Sequence, residues 1–341
     1  MIESYSGKRA FFIGNGINRI NNESGVSWID LLERIAGRFD ISSDFKNELK
    51  PLNLAFEEML FGKIGSNSLE SKLRNLKEEV ARILSSDGTN LINQDVHSGF
   101  MNSGVEEIIT TNYDYNLEIA IVPEFLNLKI QYAVNNSESK HSLFRGYNIN
   151  DVNVRHIHGE LKHNINTSNS LKHYSEESIM IGFEHYSDYF KKIQDNVKGV
   201  TVKINGIKTQ KDNILFRIRN EQTGSSWIDL FFTHQLIFTG FSFDFSENHL
   251  WWLLLQRQQF MKENFRHEVK INNQIIYCYP EFGVVPNISQ SNFEASYKIR
   301  FEEKKNIARN EMLISFGVIP EAVQCNSYEE FYLSVIEKYC N

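Results

Sequence analysis

Four short segments place glycine or polar side chains directly after an apolar run, and each could bind or react with a ligand. The first is FFIGNGIN, residues 11–18. Gly14 and Gly16 permit a tight turn and let backbone N–H groups approach a phosphate closely. An ordinary strand–helix turn would need the same glycines, and Arg19 stands where a GxGxxG fingerprint has its third glycine. The second is ITTNYD, residues 109–114. Asn112 offers a donor and an acceptor, and Asp114 a carboxylate. Either could cap a following helix, but two such residues after two threonines exceed what a cap requires. The third is VRHIHGEL, residues 154–161. On a strand, His156 and His158 point the same way, and Gly159 ends the run. That presents an imidazole whose charge changes near neutral pH. The fourth is LIFTGFSFD, residues 236–244, where Gly240, Ser242 and Asp244 follow a β-branched and aromatic stretch. A turn and an N-cap would account for it equally. Open α/β sheets bind ligands at the carboxyl ends of their strands, so the four segments weigh more together than apart.

The elements needed to position them can be read from periodicity. Residues 8–13 and 235–239 read as buried strands, and 106–110 as a third. Residues 27–85 read as helical, with Trp28, Leu31, Leu32 and Ile35, then Leu69, Leu73, Leu76, Val80 and Ile83, at helical spacing. Pro51 and the 62–67 loop punctuate that region. Short helices are expected over 95–103 and 115–121. Residues 127–160 read as strands around a loop at 135–140, and 162–172 as an exposed polar loop. A strand at Ile179–Ile181 should lead into a helix over 185–194. Residues 198–224 fit either a hairpin or an insertion. A helix over 249–261 carries Trp251, Trp252 and Phe260, which suit a core or an interface. The tail should hold a β-rich stretch over 268–285 and helices over 302–311 and 328–339. Strands alternating with helices predict an α/β fold with a mostly parallel sheet and helices on both faces.

Composition narrows the classes. The 341 residues are 41% hydrophobic and 13% aromatic, enough for a large packed core. No apolar run is long enough to span a membrane, and the first residues lack the layout of a signal peptide, so a cytoplasmic protein is expected. The net charge of −7 argues against direct nucleic-acid binding. Cys278, Cys325 and Cys340 are too scattered for a disulfide framework or a CxxC pair. His163 and His173 lack convincing zinc spacing, and no metal is expected.

Taken in order, the four segments resemble the sirtuin family. Gly14-Asn15-Gly16-Ile17-Asn18 is similar to its Gly-Ala-Gly-x-Ser phosphate loop. Thr111-Asn112-Tyr113-Asp114 is similar to its Thr-Gln-Asn-x-Asp motif, with Thr111 in place of the glutamine. His158-Gly159 matches the catalytic His-Gly, and Gly240-Phe241-Ser242 the late Gly-x-Ser strand end that contacts the adenosine half of NAD. GVSWIDLL at 25–32 and TGFSFDFSENHLWW at 239–252 look closer to the bacterial antiviral sirtuin-like branch than to protein deacylases. The four zinc cysteines and the Gly-Ile-Pro-Asp-Phe-Arg segment of the deacylases are missing. The anchors span residues 13–245, and the tail from about 260 resembles nothing nameable.

The resemblance implies one sirtuin-like domain over 1–341 without a zinc ribbon. Its Rossmann-like core would occupy about 8–20 and 95–260, with a helical insertion at about 27–90 and a mixed extension at about 261–341. It implies an NAD+ hydrolase releasing nicotinamide and ADP-ribose, an antiphage effector acting by NAD+ depletion. Residues Gly14–Gly16 and Asn18 would hold the pyrophosphate, with Thr111 beside them. Asn112 would orient the ribose or a water, Asp114 would hold the nicotinamide amide or stabilise the nascent cation, and His158 would act as base. Ser242 and Asp244, after Gly240, would take the adenosine. Control by a homo-oligomeric state or by a partner such as a HerA-type ATPase or Argonaute-type protein is implied. The rival expectations are a non-catalytic NAD or ADP-ribose sensor and, less favoured, a protein deacylase or ADP-ribosyltransferase.

Overall fold

Alternation in the sequence sorts side chains onto two faces of one sheet. In strand β1, Arg9–Ile13, Ala10 and Phe12 join one hydrophobic cluster while Phe11 and Ile13 join another. The same split runs through β2 (Glu107–Thr110), β6 (Gln235–Thr239) and β7 (Ile275–Phe282), whose neighbours Ile108 and Ile109, Leu236 and Ile237, and Ile275 and Ile276 fall in opposite clusters. A sheet buried on both faces is the signature of parallel strands covered by helices. The computed structural model describes residues 2–20, 25–41, 50–62, 68–86, 92–134, 142–164, 173–175, 179–204, 207–210, 212–263, 268–282 and 293–340.

The main sheet has eight strands, completed by β3 (Ala133–Val134), β4 (Gly146–Ile149), β5 (Val152–His156) and β8 (Val318–Cys325). Across the sheet they lie β8-β7-β6-β1-β2-β5-β4-β3. Every pairing from β8 to β5 is parallel, and only the β5–β4 and β4–β3 pairings at one edge are antiparallel. The six parallel strands, ranked along the chain, therefore read 6-5-4-1-2-3. Direction of winding reverses between β1 and β6.

Helices cover both faces. One face carries α1 (Trp28–Arg38), α2 (Leu52–Phe61), α3 (Leu69–Ser86), α4 (Gln94–Met101), α5 (Asn116–Ile121), α6 (Phe125–Tyr132) and, from the far end of the chain, α12 (Tyr328–Tyr339). The other carries α7 (Phe183–Lys198), α8 (Ile214–Arg219), α9 (Trp227–Thr233), α10 (Asn248–Lys262) and α11 (Phe293–Ser315). Local chemistry starts several of them: Ser27 with Asp30 and Ser226 with Asp229 form capping boxes. Trp251 belongs to the core, with Trp252 and Phe260 packed against it, so these aromatics are core. Among the described residues, no helix is long and apolar enough to cross a membrane.

Several expected elements differ. Residues 127–132 are part of helix α6, not a strand. Ile179–Ile181 form no strand; they are fully buried extended chain, tied in where the Met180 N–H donates to the His158 carbonyl at 2.9 Å. The 198–224 region resolves into a Thr201–Ile204/Ile207–Gln210 hairpin and then α8. Of the expected 162–172 loop, Lys162–Asn164 pairs with His173–Ser175 and the rest lies outside the described residues, as do 63–67, 135–140 and 283–285. Helix α11 runs beyond 302–311 at both ends, and β8 was not anticipated. The residues after 260 contribute two parallel strands to the central sheet.

The reversal point is held by glycine. The Gly14 N–H donates to the Thr239 carbonyl at 3.0 Å, and the Gly16 N–H to the Gly240 carbonyl at 2.8 Å. A Cβ on Gly14 would sit 2.4 Å from the Gly240 oxygen, and one on Gly16 would sit 2.6 Å from the Tyr332 hydroxyl. Gly240 itself has φ +63°, the left-handed region. Gly14→Ala should therefore lower the urea unfolding free energy by roughly 1–3 kcal/mol, because backbone rather than a movable side chain blocks the methyl. Gly37→Ala on exposed α1, where nothing lies within 4 Å, should instead be neutral or raise it by up to about 1 kcal/mol.

Candidate active site

The carboxyl ends of the parallel strands open into a cavity of about 800 Å³. From β1 come Asn15 and Gly16, and from β2 Thr111, Asn112 and Asp114. His158 follows β5; Gly240, Ser242 and Asp244 follow β6. All the sequence-predicted site residues thus line one cavity except Gly14 and Asn18, which lie behind it. The opposite wall comes from β7, α11 and α12, including Tyr277, Lys305, Arg309 and Tyr332.

Behind the lining is a polar frame that aims the β2 end. Asn18 is buried; its amide donates to Asp114 Oδ2 at 2.8 Å and Asn15 Oδ1 at 3.1 Å, and its Oδ1 accepts from Asn116 at 3.0 Å. Asp114 Oδ1 accepts the Asn116 N–H at 3.1 Å. Both Asp114 oxygens are therefore engaged within the protein, which favours its helix-anchoring role. Burial raises its carboxyl above the ordinary range, opposed mainly by the Asn116 N–H. Asn112 is held by its backbone: its N–H donates to Thr110 Oγ1 at 3.1 Å, and its carbonyl accepts from His156 Nδ1 at 2.8 Å. The side chain is left free, and Asn112 Oδ1 is buried without a hydrogen-bond partner. A buried polar atom with no partner calls for an explanation, and a bound ligand would supply one.

The Gly14–Gly16 turn departs from its expected role. With the Gly14 and Gly16 N–H groups already donating to β6 carbonyls, they cannot form the anticipated phosphate cradle without breaking those bonds. The five-residue 3-10 turn that follows, Asn15–Arg19, replaces the expected phosphate-facing helix start. Positive charge at the cavity comes instead from side chains, Arg19, Lys305 and Arg309. Arg309 donates to the Ser242 carbonyl at 3.0 Å and lies over the Tyr277 ring, and Lys305 sits 3.7 Å from Asp244.

A further cluster surrounds His158. Its Nε2 is 3.1 Å from His249 Nε2 and 3.5 Å from Glu247 Oε2, and the Tyr186 hydroxyl is 3.4 Å from its Nδ1. Burial pushes the His158 imidazole well below its ordinary value, helped by His249, and pushes His249 down to about 3. Burial, then the charge of Asp244, pushes Glu247 up to about 8. One donor atom from each of His158, Glu247 and His249 lies within 4.8 Å of the others, so these three could converge on a cation. Sequence reasoning passed over Glu247 and His249 although they stand just beyond Asp244. An acidic residue two positions before a histidine at a helix start was the available signal. Tyr186, Lys305 and Arg309 carried none.

Fold and site together define an α/β protein with a mostly parallel sheet and a polar cavity at its strand ends. No protein-family model matches the chain, and no curated protein matches it.

His156 is separate in chemistry from His158. Both its nitrogens are engaged, Nε2 with Glu118 Oε1 at 2.7 Å and Nδ1 with the Asn112 carbonyl. Burial, the largest single influence, opposes its charge, but Glu118, Glu160 and the Asn112 carbonyl together outweigh it and raise the imidazole to about 9. The folded-state value lies above the ordinary 6.5. The stabilisation is therefore complete below about pH 6.5 and is lost as pH rises through about 9. Its full size is on the order of 3 kcal/mol. Urea unfolding from pH 6 to 10 should show parent and Glu118→Gln far apart at the acid end and converging at the alkaline end. A constant gap would place the effect elsewhere.

Proposed function

We propose that this protein cleaves NAD+ at the nicotinamide–ribose bond, releasing nicotinamide and ADP-ribose. The observation that carries the reading is that Asn112 and His158, from adjacent strands, line one cavity, and that the Asn112 amide oxygen lacks a partner there. The parallel strand order is that of Rossmann-like dinucleotide-binding folds, whose ligands lie over the reversal point. The cavity volume also falls within the range of small-molecule sites.

Cleavage of the bond develops positive charge on the ribose, as in glycoside hydrolysis. In this reading Asn112 orients the ribose hydroxyls or the attacking water. His158, kept neutral by burial, accepts the proton of that water. Arg19 and Asn15 face the pyrophosphate, Ser242, Asp244 and Arg309 face the adenosine, and Asp114 braces Asn18 beneath the nicotinamide end. Such an activity depletes the cell of NAD+, which suits an antiphage effector in the cytoplasm held in check by self-assembly or by a partner of the HerA or Argonaute type. A second reading, an NAD or ADP-ribose sensor, draws on the engagement of both Asp114 oxygens within the protein.

Purified protein mixed with NAD+, alone and with the products of neighbouring genes, should release nicotinamide, followed by chromatography. Asn112→Ala and His158→Ala should each lower the rate by about 10²–10⁴ with melting temperature unchanged. Variants that cleave at the parent rate defeat the assignment, and calorimetric binding without nicotinamide release selects the sensor.

A further inference from the structure

We propose that His158, His249 and Glu247 form a binding site for a zinc-type divalent transition-metal ion at the edge of the cavity, which His158 and Glu247 line. The ligand set is drawn from two places, the end of β5 and the start of α10, which the sheet brings together. Ligands about 2.0–2.1 Å from a tetrahedral zinc lie roughly 3.3 Å from each other. His158 Nε2 lies 3.1 Å from His249 Nε2 and 3.5 Å from Glu247 Oε2, on either side of that separation. One ligand atom from each residue lies within 4.8 Å of the others, and His249 also turns its Nδ1 toward Glu247 Oε2 at 3.7 Å.

A second observation points to an occupant. Glu247 Oε2 is buried with no hydrogen-bond partner, and the direct His158–His249 contact leaves it so. A buried carboxyl oxygen with no hydrogen-bond donor calls for an explanation, and a cation beside it would supply one. Two imidazoles and one carboxylate are a donor set for zinc and its neighbours in the first transition row rather than for calcium or magnesium, which take oxygen ligands. With Nε2 ligating, the remaining His158 proton sits on Nδ1, facing the Tyr186 hydroxyl at 3.4 Å, the usual second contact of a ligating histidine. Three protein ligands leave a coordination position open toward the cavity, as in exchangeable rather than purely structural sites.

The consequence is regulatory, and this part alone rests on the NAD+ reading. A cation on Nε2 with the proton on Nδ1 leaves His158 no free lone pair. The loaded protein therefore lacks the base that the empty protein has, and metal occupancy and NAD+ cleavage exclude each other.

Tag-free, chelator-treated protein of all 341 residues should be titrated with cobalt(II) chloride and then zinc chloride. Visible d–d absorption of one low-coordinate cobalt per chain, displaced by zinc, is the expected result, with zinc but not magnesium raising the melting temperature. Glu247→Gln and His249→Asn should each weaken cobalt binding on the order of 100-fold, while His185→Gln should not. A parent without cobalt absorption or melting shift overturns the site, even if a variant misfolds. So does equal binding by parent and both variants. Zinc should suppress nicotinamide release and a chelator restore it; full activity of zinc-loaded protein overturns the regulatory consequence. A metal-free parent that releases no nicotinamide removes the NAD+ reading, while the cobalt spectrum still decides the site.

Discussion

The close approach of two backbones, at Gly14–Gly16 and at Gly240, is the contact on which the rest of the molecule depends. A side chain at either β1 glycine would enter the space of Gly240 or Tyr332. Only because both sides lack one can β1 and β6 run side by side to their ends and then diverge. The divergence creates the crevice, with β2 and β5 sending chain to one side and β7 and β8 to the other. Glycine here works through packing: its N–H groups are spent on the opposite strand. A glycine-rich turn in a sequence can thus report a close backbone crossing as readily as a phosphate cradle.

The second constraint is the burial of polar groups around that crevice. Asn112 is gripped through its backbone on both sides, by Thr110 and by His156, while His156 is fixed by Glu118. The arrangement separates the work of holding the strand end from that of facing the cavity. Neighbouring histidines on the same strand end consequently differ in charge. His156 is held protonated by a carboxylate against it, whereas His158, buried and beside His249, is held neutral.

Much of the sheet was legible in the sequence because its central strands are short, apolar and β-branched, and end abruptly in glycine or amide residues. The six parallel strands include four that carry such ends, and those ends are the cavity. Where the sequence misled, the reason is local. In α6, Leu126, Leu128 and Ile130 recur every second residue, a strand's period, although Ile130 is largely exposed. Ile179–Ile181 looks like a strand because it is apolar and buried, yet it pairs with no strand. Strand β8 was hidden because it is an edge strand with mostly half-exposed or exposed residues and a proline. The wall made by Lys305 and Arg309, and the approach of Glu247 and His249 to His158, come from tertiary packing across long stretches of chain. No pattern in a single segment encodes them.

The joining of β1 to α12, 330 positions apart along the chain, has a consequence for how the molecule comes into being. Arg9, in the first strand, donates to the carbonyl of Tyr339 at 2.9 Å, and Tyr332 of the last helix packs over Gly16 and Gly240. One side of the crevice is synthesised long before the other, which waits for α12 to leave the ribosome. Loop closure over so many residues is entropically slow. A nascent chain therefore carries a half-built hollow until α12 has been made, and the enclosed chamber first exists when α12 docks beside β1.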